Sequence, residues 1–141
     1  AVTFITASII SFSTGSSWAT MSILVPVTVP MSIQLLGGEG NQVVQDPIFL
    51  STFAGVLSGS VFGDHCSPIS DTTVLSSTAT GSDHIDHVRT QLPYAVISGV
   101  VALLAGYIFT GLGITLIVSL SVGLILVIGV LKIFGKPILH E

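Results

Sequence analysis

The sequence predicts an all-α integral membrane protein, a polytopic helical bundle whose helices are interrupted by polar residues. Three observations lead there. Only 7% of the 141 residues are charged and 50% are hydrophobic, where a soluble domain carries about a quarter charged residues. Neither Ala1 to Gly38 nor Thr90 to Leu131 contains an Asp, Glu, Lys or Arg, and each run exceeds the roughly 20 apolar residues that cross a bilayer. Finally, two polar strings, "STGSSW" and "GDHCSPISD", interrupt apolar stretches. A β-barrel would show short segments of alternating polarity, and none are evident.

The first region is 1–36. Ala1 to Phe12 is apolar, Ser13 to Trp18 is the first polar string, and Ala19 to Leu36 is apolar again with Pro26 and Pro30 inside it. Gly15 among hydroxyl residues continues a helix poorly, because glycine loses the most backbone entropy and Ser and Thr compete for backbone hydrogen bonds. A helix break is expected here. The alternative is an unbroken helix whose hydroxyls bond back to the preceding turn. Trp18 reads as a packing or interfacial residue, with a place beside a site left open.

Residues 37–46 form the aqueous loop of this half, with Glu39 and Asp46 as solvated charges. The region 47–80 begins at Pro47, a residue that helices accept in their first turn. Its apolar stretch Ile48 to Gly63 ends directly at Asp64, and helical character resumes from Thr72 to Thr80. The interruption expected is therefore Asp64 to Asp71. Residues 81–93 read as a polar connector.

Residues 94–131 read as a helical hairpin, Tyr94 to Phe109 and Ile114 to Leu131, joined by "TGLG", whose glycines permit a tight turn. Small residues recur along it at Gly99, Ala102, Ala105, Gly106, Ser119 and Gly123, as close helix contact in lipid requires. Arg89 precedes the hairpin, and Lys132 and Lys136 follow it in the tail 132–141. The positive-inside rule puts both its ends in the cytoplasm.

The ionisable cluster sets the functional question. A carboxylate at the centre of a membrane helix costs on the order of 2.5 to 3.5 kcal/mol. Asp64 and Asp71 flank Pro68, with Ser67, Ser70, Thr72 and Thr73 alongside. Irregular backbone at membrane depth survives where it is buried in protein or lines a watery cavity. Freed carbonyls, hydroxyls and a carboxylate then form an all-oxygen nest for a hard cation such as Na⁺, and the carboxylate can exchange that cation for a proton. A plainer reading makes the segment an interfacial loop with Asp71 as a helix N-cap.

Other chemistries find less support. His65 and Cys66 with Asp83, His84, Asp86 and His87 could suggest zinc, but a structural site needs four placed ligands and usually more than one Cys. No G-x-S-x-G elbow supports a hydrolase, so an enzyme is not expected. The net charge of −4, on few ionisable groups, offers no basic surface for nucleic acid. The single Cys66 excludes a disulfide within the chain. Ala1 and the uncharged residues after it show neither an initiator Met nor a signal peptide, so the chain reads as a piece of a longer transporter or channel.

"FGDHCSPISDTTVLSSTATGSDHIDHVRTQLPYA", Phe62 to Ala95, and "FSTGSSWATMSILVP", Phe12 to Pro26, closely resemble signature regions of the NhaC-type Na⁺/H⁺ antiporters. That bacterial family also includes sodium-lactate/malate-proton exchangers. The resemblance covers about two thirds of the chain directly, and the hairpin agrees in character. It implies the later part of a secondary transporter built from inverted repeats with interrupted helices near the midplane. Both breaks expected above fall on its motifs.

The activity then implied is Na⁺ exchanged for H⁺ across the bacterial cytoplasmic membrane. Asp64 is the expected titrating carboxylate and Asp71 the second candidate. Thr14, Ser16, Ser17, Ser67, Ser70, Thr72 and Thr73 are candidate oxygen donors, and Gly15, Gly63 and Pro68 are expected to hold the breaks open. His65, as a residue that titrates near neutrality, could tune the pH response or simply hydrogen-bond Asp64. No cofactor or resident metal is expected beyond the transported ions. The expected partners are the bilayer and the rest of the parent transporter, and a homo-oligomer stays open. Exchange of a malate- or lactate-like acid coupled to Na⁺ is the alternative cargo, and a non-transporting membrane scaffold the alternative class.

Overall fold

The computed structural model describes residues 1–37 and 41–134, among which there is helix and turn but no strand. Glu39 and Lys136, read above as charges flanking the spans, lie outside the described residues. Two units, Ala1–Val96 and the residues from Ile97 onward, are described in turn.

In the first unit, α1 (Val2–Thr14) is followed after two residues by α2 (Ser17–Leu36), then by α3 (Asn41–Val44), α4 (Pro47–Cys66) and α5 (Asp71–Thr80). The helix α6 (His84–Val101) begins in this unit. Gly15 caps α1 in the left-handed conformation at φ 66°, and Ser16 caps α2, its Oγ accepting from Ala19 N at 3.3 Å. The first break is thus Gly15 and Ser16, narrower than the string that suggested it. Pro47 occupies the first turn of α4, and Asp46 Oδ1 accepts from Ile48 N at 2.7 Å. Asp46 is therefore a helix cap and not merely a solvated charge.

The second break also lies elsewhere than expected. Asp64, His65 and Cys66 complete the last turn of α4, and the interruption is Ser67 to Ser70. Asp71 opens α5 from the first helical position, and Ser70 holds the N-cap position instead. The polar connector is helical from His84 onward. There Asp83 Oδ1 accepts from Ile85 N and Asp86 N at 2.9 and 3.1 Å, which starts α6 despite its polar composition.

What fixes the unit is the contact of α1 with α4. A Cβ on Gly55 would lie 2.5 Å from Thr3 Oγ1, one on Gly59 2.4 Å from the Phe4 carbonyl oxygen, and one on Gly63 2.2 Å from the Ser8 carbonyl oxygen. The spacing is four residues, so all three glycines share one helical face and let the two backbones touch, as small residues do in membrane helices. Contrary to the expectation from sequence, Gly63 does not break the helix, since it lies inside α4; it closes the contact. Ser11 Oγ adds a 2.6 Å bond to the Ser60 carbonyl oxygen across the seam, and the Phe4 and Phe62 rings lie 5.6 Å apart beside it.

In the second unit, a π-helical stretch Ala102–Ile108 continues into α7 (Phe109–Gly111), and a turn through Gly113 at φ 80° leads to α8 (Leu116–Phe134). Ala105 and Ser119 are buried where these segments meet. Ser119 Oγ donates to the Ala105 carbonyl oxygen, and a Cβ on Gly123 would reach Ala105 Cβ at 3.6 Å. Ser17–Leu36, His84–Gly111 and Leu116–Ile133 are helices long and apolar enough to cross a membrane.

Candidate functional site

The two breaks meet. A Cβ on Gly15 would fall 2.8 Å from the Ile69 carbonyl oxygen, so the first break touches the backbone of the second, and only a glycine fits between them. Ser67, from the second break, donates its hydroxyl to the Phe12 carbonyl oxygen in the last turn of α1 at 2.8 Å. Its Oγ also receives the Ile69 N–H at 3.3 Å. The residues that stop the helices are the ones that tie the stops together.

Asp64 sits at this junction, 8% exposed. Ser17 Oγ donates to its Oδ2 at 2.8 Å, and Ser70 Oγ donates to its Oδ1 at 2.6 Å. Both distances suit charge-assisted bonds. Ser17 is the first residue of α2 and Ser70 the cap of α5, so both donors come from helix N-termini, where the peptide dipoles favour negative charge. Among the described residues, neutral hydroxyls are the side chains that hold this carboxylate, and no ion pair forms with it. Ser70 Oγ also lies 2.8 Å from Thr72 Oγ1. Because the hydrogen of Ser70 is committed to the carboxylate, Thr72 is the donor in that pair.

Hydroxyls suit a site that changes charge. Each can donate to a carboxylate, accept from a carboxylic acid, or offer a lone pair to a cation. Protonation of Asp64 therefore needs one hydrogen bond to reverse direction, and a cation needs one hydroxyl to rotate. No side chain has to be rebuilt in either case.

The other sequence candidates are placed as follows. Thr14 Oγ1 donates to the Ile10 carbonyl oxygen at 2.9 Å and lies 3.4 Å from Thr20 Oγ1, beside the first break. Ser16 is engaged as a cap, and Thr73 is buried on α5 with its carbonyl accepting from Ser77 Oγ at 2.9 Å. Asp71 is exposed, its Oδ1 accepting from Thr72 N at 2.8 Å, and the structure does not bring it to Asp64. His65 is exposed too; its carbonyl accepts from Gln91 Nε2 at 2.8 Å. Trp18 is 80% exposed. Sequence reasoning missed Ser11 and Ser60, fully buried on the α1–α4 seam, and Thr20, fully buried beside the first break. It also missed Gly55, Gly59 and Gly63 as a set, although their four-residue spacing was a readable signal.

The profile of the Na⁺/H⁺ antiporter family matches residues 1–112 of this chain. The chain is 36% identical over 118 residues to the malate-2H⁺/Na⁺-lactate antiporter of Bacillus subtilis, covering 81% of this chain and 23% of that one. It is 37% identical over 95 residues to the arginine/ornithine antiporter ArcD of Halobacterium salinarum, covering 67% and 18%. With the Na⁺/H⁺ antiporter NhaC of Alkalihalophilus pseudofirmus it shares 33% over 102 residues, covering 70% and 20%. The chain thus spans about a quarter or less of the length of the curated relatives it matches. No solved structure matches it.

Proposed function

This chain belongs to the Na⁺/H⁺ antiporter family, membrane transporters and not enzymes, and from that premise we propose that it carries the site where Na⁺ and H⁺ compete. The observation that carries the reading is Asp64, buried and held by two hydroxyls from two broken helices. A bare carboxylate is costly at membrane depth, so a proton or a cation supplies its counter-charge. Na⁺ takes the ionised carboxylate together with lone pairs of Ser17 and Ser70. H⁺ neutralises the carboxylate and releases the cation. One site with two exclusive occupants couples the fluxes.

The test uses the full polypeptide carrying this sequence, in everted vesicles from an antiporter-deficient strain. A pH-sensitive dye follows a respiration-driven ΔpH as Na⁺ is added. Collapse of the gradient is expected, with the apparent affinity for Na⁺ falling as the pH is lowered, because protons compete for the same oxygens. No collapse with Na⁺ in the presence or absence of organic acids would sink the reading and favour a scaffold.

Asp71→Asn separates the two aspartates. Asp71 is exposed and its Oδ1 accepts from the next backbone N–H, so exchange in this variant is expected within about twofold of the parent, the scale of a surface change. Exchange reduced to background in the same assay would return Asp71 to the mechanism.

A second reading is favoured by the relatives' names, which include a malate and lactate exchanger and an arginine and ornithine exchanger. In that reading the Asp64 site binds the coupling ion and other parts of the transporter bind the solute. Gradient collapse that requires malate or lactate besides Na⁺ would select it.

A further inference from the structure

Two side chains of α6 reach carbonyls in the second break and in the last turn of α4 before it. His84 Nε2 lies 2.6 Å from the Pro68 carbonyl oxygen, and Gln91 Nε2 donates to the His65 carbonyl oxygen at 2.8 Å. The two residues are seven apart, two turns, and so lie on one face of α6. A carbonyl oxygen only accepts, so His84 Nε2 carries its hydrogen whatever the charge of the ring.

The other ring nitrogen is held as well. Ser77 Oγ lies 3.1 Å from His84 Nδ1, 2.9 Å from His87 Nδ1 and 2.9 Å from the Thr73 carbonyl oxygen. Its single hydrogen cannot serve three acceptors. It goes to the Thr73 carbonyl oxygen, and the Nδ1 atoms of His84 and His87 both lie within hydrogen-bond reach of the Ser77 oxygen. Ser77 is buried, so water does not replace these partners, and the ring is oriented from both sides.

Pro68 lies two residues before Ser70, the residue that donates to Asp64 Oδ1. We infer that His84 and Gln91 are positioning residues of the cation site: α6 holds the Pro68 and His65 carbonyls, and so keeps Ser70 on the carboxylate. From sequence alone this stretch, 81–93, reads as a polar connector. The inference rests on the exchange proposed at Asp64.

The experiment is steady-state exchange by the full polypeptide, with apparent KM for Na⁺ and maximal rate measured separately. His84→Ala is expected to raise the KM about threefold to tenfold, the size of one lost hydrogen bond, with the maximal rate nearly unchanged. His84→Gln, whose amide N–H can occupy the place of Nε2–H, is expected to restore the KM. A parental KM in His84→Ala overturns the inference. So does a His84→Gln variant as impaired as His84→Ala, since that would reflect lost packing. Amide hydrogen exchange at Ile69 and Ser70 in the same variants gives a readout independent of transport, with faster exchange expected in His84→Ala and parental exchange in His84→Gln. If the parent shows no response to Na⁺, the functional proposal fails, and this second measurement alone decides the positioning role: protection unchanged in His84→Ala overturns it.

Discussion

Asp64→Asn is expected to abolish cation-driven proton exchange while leaving the protein in the membrane. Asn keeps the shape of the side chain, so the seam of α1 and α4 has no reason to open. It keeps one acceptor for either Ser17 or Ser70 and replaces the other by an N–H₂ donor. One hydroxyl must therefore turn its hydrogen away and accept from the amide instead, so a charge-assisted bond gives way to a weaker neutral one. More decisive is the charge. An amide does not take up a proton at physiological pH and offers Na⁺ no countercharge, so both occupants are lost together. The dye assay should read background at every pH, with the variant present in membranes at the parental level. Robust Na⁺-driven exchange in this variant would remove Asp64 from the mechanism.

Gly63→Ala is the second large effect, and it acts through packing. The added carbon would sit 2.2 Å from the Ser8 carbonyl oxygen and 2.9 Å from both Phe12 N and Ser11 Cβ. Two of these atoms are backbone and cannot rotate aside, so α1 and α4 must separate. Overpacking of this kind costs about 1 to 3 kcal/mol, and the apparent melting temperature in detergent should fall by several degrees. Transport should fall as well, because only Gly15 and Ser16 separate α1 from Ser17 and Ser67 donates to the Phe12 carbonyl oxygen. Gly106→Ala is the control: a Cβ there meets nothing within 4 Å, and the substitution removes a helix-weakening glycine at no steric cost. Equal melting temperatures for the two variants would refute the packing account.

The helical class was legible because charge-free runs of bilayer length admit few alternatives. The two breaks were legible because Gly15 and Pro68 disfavour helix among residues that bond to their own backbone. Their limits were not. Polar composition suggested that the second break began at Asp64, yet Asp64 to Cys66 stay helical because Gly63 packs its turn against α1. Asp46 looked like a solvated charge and Asp83 like part of a polar connector, and both are caps, a role set by the dihedral angles of one residue. The pairing of Asp64 with Ser17 and Ser70, 47 and 6 residues away, depends on how two helices cross, and local pattern carries no record of that. Neither did it carry the grip of His84 on Pro68, which joins elements read separately.

The contact of Gly15 with the Ile69 backbone has a mechanical consequence. Where side chains separate two helices, rotamer changes can absorb small displacements, and the spacing between ligands drifts with them. Here main chain rests on main chain, and there is no such slack. A shift of either broken helix must carry the other with it, so at the cation site proposed above the Ser17 and Ser70 hydroxyls would keep a set spacing around Asp64. Ions would then be sorted by radius as well as by charge, and a larger cation could be admitted only by moving backbone.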